Sequence, residues 1–244
     1  MGRPSRVRLD GPDHHVTITV PGDRWDRATA VALVEAAVGL VENREVRVVT
    51  LRAASSPFCS GPADDLAPAE FDPDPAAAVA RLRPPVIAVL SGRCASVGFE
   101  VALATDIRVC GPDTTFRLDD VAAGRLPCWG GTQRLGRAIR PAEATAMVLL
   151  GSEMDAARAL SLGLVHAIAQ DPDAEADRLA GELAQRGPLS LEFAKEAVHR
   201  GAELPLRDGL RLEGDLNHQL AATDDRAEGL AAFFDKRPPD FAGR

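Results

Sequence analysis

The sequence has no tyrosine, and aromatic residues make up only 4% of its 244 positions. A core without aromatic bulk must be assembled from Ala, Val and Leu, each burying little area, so many contacts are needed. Lysine is almost missing too: Lys195 and Lys236 are the only two, against 28 Lys plus Arg in total. Such arginine dominance reads mainly as the codon bias of a GC-rich genome. Basic charge is in the minority, and the formal net charge is −8. That excludes broad binding to nucleic acid or anionic membranes, which want a basic surface, but leaves room for a local basic patch. Cysteine is sparse: Cys59, Cys94, Cys110 and Cys128 form no CxxC and no Cys/His cluster. No zinc site or disulfide framework is expected, and the natural reading is buried thiols in a cytoplasmic protein. No metal site of another kind is suggested. There is no run of 18 apolar residues to span a membrane. The N-terminal MGRPSRVRLDGPDHH has no apolar signal-peptide core, and Arg6 stands where a myristoylation signal needs Ser or Thr.

What is present is a soluble globular balance, 45% hydrophobic and 26% charged. The N-terminal part alternates strands and helices. Strands are expected at Val16–Val20, Val46–Arg52, Val86–Leu90 and Ile107–Cys110, with a short one at Thr114–Phe116. VRVVTLR and VIAVL are near-continuous apolar runs, as in parallel strands buried on both faces. A helix is expected over Ala28–Glu42, with Val31, Val34, Ala37, Val38 and Val41 on one face, and another over Ser96–Ala104. This alternation implies an α/β core with crossover connections. From about Pro141 the pattern becomes purely helical: 142–150, 155–162, 174–186, 189–200, 206–222 and 224–235. The division expected is an α/β core over 1–185 and a helical region over 186–244.

Three stretches sit where chemistry is expected. The loop SSPFCSGPADDL follows the second strand, and ligands of α/β proteins bind beyond strand carboxyl ends. Its small residues can offer backbone N–H groups to an anion, or form an ordinary surface loop. SGRCASVGFE follows the third strand and opens a helix, where Glu100 reads either as a catalyst or as a helix-terminal acid. Asp119-Asp120 precedes a Gly/Pro-rich loop; with Glu100, one of these acids would make a general acid/base pair.

Four segments resemble, in order, the motifs of the crotonase superfamily, the enoyl-CoA hydratase/isomerase family. FCSGPADDL resembles F-x-x-G-x-D-L. PPVIAVLSGRCASVGFEVALATDIRV resembles P-V-I-A-x-x-x-G-x-x-x-G-G-G-x-E-L-x-x-x-C-D. FRLDDVAAGRLPCWGGTQRLGRAI resembles F-x-x-P-E-x-x-x-G-x-x-P-x-x-G-G-T-x-R-L. EGLAAFFDKRPPDFAGR resembles E-G-x-x-A-F-x-E-K-R-x-P-x-F. The likeness spans about Val16 to Arg244.

This resemblance implies a crotonase-like ββα spiral core with a helical C-terminal trimerisation region. It implies an acyl-CoA thioester substrate whose carbonyl oxygen, as it becomes enolate-like, is held in an oxyanion hole made by the backbone N–H groups of Ser60 and Val97. It places Glu100 and Asp120 as the two catalytic carboxylates, Trp129 in the acyl-pocket loop, and Phe233 and Lys236 at the CoA of a neighbouring subunit. The implied reaction is hydration of a 2-enoyl-CoA, as in fatty-acid metabolism. Isomerisation, hydrolysis or decarboxylation of an acyl-CoA, or a catalytically weak partner subunit, are the alternatives. Coenzyme A enters only as part of the substrate; no other cofactor is implied. Partners implied are further copies of the chain, as a homotrimer or a dimer of trimers.

The sequence departs from the motifs at several of these positions. Val97 stands for Gly, which keeps the N–H but restricts the backbone. Asp120 stands for Glu and is shorter by one methylene, and Asp119 stands for Pro. Arg125 falls where a small or neutral residue is usual, and a pair with Asp120 would favour the charged carboxylate. The strand-to-helix link PGDRWDRAT lacks R-P-x-x-x-N-A-L, and residues 65–85 are shorter than usual, which implies a reshaped pocket. Cys59 has no evident His partner and is not expected to act as a nucleophile. His14 and His15 are expected ahead of the first strand in a mobile terminus. His166, His199 and His218 carry no ligand pattern.

Overall fold

The computed structural model describes residues 7–11, 14–66 and 73–244. The segment 1–6 and residues 67–72 of the shortened stretch lie outside the described residues. The chain runs β1 (Arg8–Asp10), β2 (His15–Val20), β3 (Arg24–Trp25), α1 (Arg27–Val41), β4 (Val48–Ala53), β5 (Gly61–Pro62), α2 (Pro75–Ala80), β6 (Val86–Leu90), β7 (Arg93–Ala95), α3 (Ser96–Leu103), β8 (Ile107–Cys110) and β9 (Thr115–Arg117). A 3-10 turn at Asp120–Ala123 leads to α4 (Gly131–Ala138), α5 (Pro141–Leu150), β10 (Met154–Asp155), α6 (Ala156–Ser161), β11 (Ala167–Ile168) and α7 (Pro172–Ala184). Three further helices finish the chain: α8 (Pro188–Gly201), α9 (Leu206–Ala221) and α10 (Asp224–Asp235). The boundary expected at 185/186 falls in the turn between α7 and α8.

The unit that repeats is long strand, short strand, helix: β2-β3-α1, β4-β5-α2 and β6-β7-α3. Long strands form one six-stranded sheet in the order β1-β2-β4-β6-β8-β11, parallel except for the β1 edge. Short strands form a second layer: β3 pairs β5, and β7 pairs β9, with a bridge from Cys59 to Cys94 linking the two. Sequence pattern foretold β2, β4, β6 and β8 and the short β9, but not the edge strands β1 and β11 or the two- and three-residue β3, β5 and β7, which carry no periodicity of their own.

Period-two alternation explains why β6 is apolar throughout. Val86, Ala88 and Leu90 enter the main core with Trp25, Leu33, Phe58, Phe99 and Phe116. Ile87 and Val89 point the other way, to a smaller cluster with Ala176 and Ala180 of α7. Two alanines four residues apart let α7 lie close on the sheet, which covers its second face.

The face of α1 differs from the expected one. Ala30, Leu33, Ala37 and Leu40 are buried, while Val38 is 60% exposed. This helix is apolar around most of its girth, so spacing alone does not choose a face; the longer leucines go inward. His14 and His15 are also tied down rather than loose. His15 opens β2 with Nε2 2.8 Å from Thr50 Oγ1, and His14 Nδ1 lies 2.8 Å from the Glu45 carbonyl oxygen. No helix among the described residues is long and apolar enough to cross a membrane.

Candidate active site

Three connections converge beyond the carboxyl ends of the long strands: the loop from β4 to β5, the turn from β7 into α3, and the segment after β9. They frame a cleft of about 410 Å³ lined by residues 60–63, Ser96, Asp119, Arg24 and Arg125, among others. Its charged wall is balanced, with Arg24 and Arg125 set against Asp64 and Asp119. Arg24 donates to the Pro62 carbonyl oxygen at 2.9 Å and to Asp64 at 3.0 Å. Arg93 and Arg117 flank Asp119 at 3.5 and 3.2 Å. Each arginine at this cleft thus stands beside a carboxylate.

Glu100 and Asp120 sit just behind this cleft, 1% and 2% exposed. Glu100 lies in the second turn of α3. Its Oε1 accepts the N–H groups of Trp129 and Gly131, each at 2.8 Å. Gly131 opens α4 directly against it; a Cβ there would stand 2.9 Å from Glu100 Cγ, so only glycine fits. Burial pushes the Glu100 carboxyl up to about 7, against the two N–H bonds, and the nearby Asp120 charge adds to the rise. This group is thus set to gain and lose a proton near neutral pH.

Asp120 begins the 3-10 turn. Its Oδ1 accepts the Ser96 hydroxyl at 2.8 Å and lies 3.7 Å from Arg125 Nη2. Its Oδ2 is buried without a hydrogen-bond partner. The expected pairing of Arg125 with Asp120 is therefore present, and so is the convergence of Glu100 with Asp120.

The expected oxyanion donors stand differently. Val97 keeps a regular helical backbone in the first turn of α3, and no side chain caps that helix. The left-handed residue here is its neighbour Ser96, at φ +47°. In the loop, the Ser60 N–H is already bonded to the Asp23 carbonyl oxygen at 2.9 Å. Ala63 N–H is bonded to the Trp25 carbonyl oxygen at 2.7 Å, and Pro62 between them has no N–H. As placed, Ser60 lines the cleft but does not turn an open N–H into it.

Trp129 contributes through its backbone. Its side chain is 1% exposed in the main core and does not line the cleft, so the fully buried ring fills the small-residue interior. Phe233 and Lys236 lie at the end of α10 and do not line the cleft of their own chain; Phe233 is 77% exposed and stacks edge-on with Phe234. Cys59 is buried, and burial pushes its thiol up to about 12, so it holds no reactive thiolate.

The Ser96–Asp120 bond is a feature that sequence reasoning passed over. Its signal was available: a serine stands where the motif has the first of three glycines. No comparable signal marked Asp23, whose carbonyl engages the loop.

The chain was compared with known proteins. The enoyl-CoA hydratase/isomerase family model matches residues 26–244. The chain is 41% identical over 162 residues to the 2,3-dehydroadipyl-CoA hydratase of Escherichia coli (strain K12), covering 66% of this chain and 64% of that protein. It is 35% identical over 260 residues to the human mitochondrial enoyl-CoA hydratase domain-containing protein 2, covering 97% and 88%. Its fold superposes on the crystal structure of a Bacillus anthracis enoyl-CoA hydratase with a TM-score of 0.89 at 28% identity, over 98% of this chain and all of that one. The motifs, the ββα spiral and these matches agree: the chain belongs to the enoyl-CoA hydratase/isomerase family and has its crotonase fold.

Proposed function

We propose that the chain hydrates a 2-enoyl-CoA thioester to the 3-hydroxyacyl-CoA. The observation that carries this reading is the pair of buried carboxylates, Glu100 and Asp120, behind a cleft that two arginines line. In the forward direction Glu100 takes a proton from water as its oxygen adds to Cβ, and the Asp120 side supplies a proton to Cα. The Val97 N–H, at the uncapped start of α3, holds the thioester oxygen as it gains charge; one such donor is typically worth about 3 kcal/mol. Ser60 joins as the second donor when the Asp23 carbonyl releases its N–H. Arg24 and Arg125 give the cleft its attraction for the phosphates of CoA or for a carboxylate on the acyl group. An acyl chain bearing a carboxylate is therefore the first substrate class to test, in keeping with the dehydroadipyl-CoA named for the Escherichia coli relative.

We further propose self-association into a trimer or dimer of trimers. The exposed apolar residues Leu206, Leu210, Phe233 and Phe234 of α9 and α10 form its contact, and Phe233 and Lys236 reach the CoA held by the neighbouring copy. A cytoplasmic setting fits four cysteines that are all free thiols.

A second reading has its own observation. With Ser60 and Ala63 N–H groups engaged and Pro62 lacking one, the loop offers less to an oxyanion than catalysis wants. A subunit that binds acyl-CoA esters without turning them over would show this. Incubation with a panel of 2-enoyl-CoA esters, read by mass spectrometry alongside a direct binding measurement, separates the two. Addition of one water, abolished in Glu100→Gln, supports hydration; binding without conversion supports the second reading. Double-bond migration or release of free CoA would instead indicate an isomerase or hydrolase.

A further inference from the structure

On the Asp120 side the cleft stops at Ser96. Ser96 lines it, while Asp120 lies behind with almost no exposed surface. The Ser96 hydroxyl touches both sides, donating to Asp120 Oδ1 at 2.8 Å. Its backbone is held at φ +47°, a conformation that serine rarely adopts and glycine adopts freely. That strained placement aims the hydroxyl at Asp120. Two departures from the sequence motif meet here: the acid is one methylene short, and the glycine opposite it has become a serine. The hydroxyl fills the distance that the shorter acid leaves.

We propose that Ser96 is the proton-transfer group at the wall of the cleft, its hydroxyl relaying a proton between the acyl carbon α to the thioester and the buried Asp120 carboxylate. The proposal rests on the acyl-CoA reading above. In the direction of proton abstraction, the Cα–H bond breaks and its proton goes to Ser96 Oγ, while the serine proton passes to Asp120 Oδ1. The electron pair of the broken bond becomes the enolate held at the thioester oxygen. In hydration the same transfers run backwards: Asp120 returns its proton to Ser96 as Ser96 gives one to Cα, and the proton that Glu100 took from water returns to Asp120 through solvent. Nothing is oxidised or reduced. Arg125, at 3.7 Å from the same Asp120 oxygen, steadies the charge that the carboxylate carries once it has given up its proton.

The experiment compares the wild type with Ser96→Gly, Ser96→Ala and the double variant Ser96→Gly/Asp120→Glu. Glycine relieves the left-handed backbone, so Ser96→Gly folds at least as well as the wild type. Two rates are read: hydration of a 2-enoyl-CoA, and incorporation of deuterium at Cα of a saturated acyl-CoA in heavy water. Both single variants are expected to lose on the order of a hundredfold in each rate, with melting temperature and acyl-CoA affinity unchanged. The double variant, whose longer acid reaches the cleft directly, is expected to regain at least roughly tenfold over Ser96→Gly. Wild-type hydration with undiminished exchange in Ser96→Gly overturns the relay and leaves the hydratase reading standing. Exchange without hydration, lost in Ser96→Gly, overturns the hydratase reading and supports the relay. A wild type that neither hydrates nor exchanges overturns both.

Discussion

Replacing Glu100 by glutamine should stabilise the protein at alkaline pH while it stops the chemistry. In the unfolded chain the Glu100 carboxyl ionises at an ordinary 4.5, and burial lifts it to about 7 in the folded protein. Between those values the native state holds a proton that the unfolded state has lost, so stability falls as pH rises. Below about 4.5 the cost is absent; above about 7 it is complete. At roughly 1.4 kcal/mol for each tenfold change, the rise amounts to about 3 kcal/mol. Glutamine has no charge to bury, and its carbonyl oxygen keeps the N–H groups of Trp129 and Gly131. For a chain of this size about 3 kcal/mol moves the melting temperature by roughly 5–10 °C. Thermal melts of wild type and Glu100→Gln from pH 5 to pH 9 should diverge as pH rises, with the variant higher at pH 8. A variant that melts lower at pH 8, or a difference that does not vary with pH, would refute the reasoning.

Gly98 packs against Cys59 so closely that a Cβ would stand 2.1 Å from Cys59 Cβ and 2.7 Å from its sulfur, both fully buried. Gly98→Ala is expected to lose about 3 kcal/mol in a denaturant titration, and an unchanged midpoint would contradict the packing described. Lys195 fastens α8 to the core through Asp106 at 2.7 Å and the carbonyl oxygens of Leu82 and Pro84. Lys195→Met leaves the Asp106 charge buried beside His199, the Val86 N–H and the nearby Arg108, for an expected loss of about 3 kcal/mol. Hydrogen exchange should then speed up in α8 before it does in β6, and uniform exchange would count against that role.

Much of this was written in the chain. The long strands and most helices follow from runs such as VIAVL and from helical spacing. Both carboxylates were picked out by motif position, and the structure buries both, with Glu100 feeling the Asp120 charge. Less legible were features that depend on what lies across space. The short strands β3, β5 and β7 exist because the spiral stacks them, so no local pattern marks them. The buried face of α1 was misjudged because both faces are apolar, and only the sheet decides between Val38 and Leu40. From its loop Trp129 could wall the acyl pocket or fill a gap among small residues, and its ring is buried in the core. The Ser60 N–H was free on paper, and only the position of Asp23 engages it. The Ser96 hydroxyl reaches Asp120 through a backbone angle that composition does not encode.

We propose that Glu100 and Asp120 add water to an acyl-CoA double bond. Wild-type protein and a 2-enoyl-CoA, incubated in heavy-oxygen water and followed by mass spectrometry, test it directly. The expected product carries one labelled oxygen in its 3-hydroxyl, and Glu100→Gln yields none. An ester recovered unchanged across chain lengths and with or without a terminal carboxylate, despite measurable binding, would contradict it.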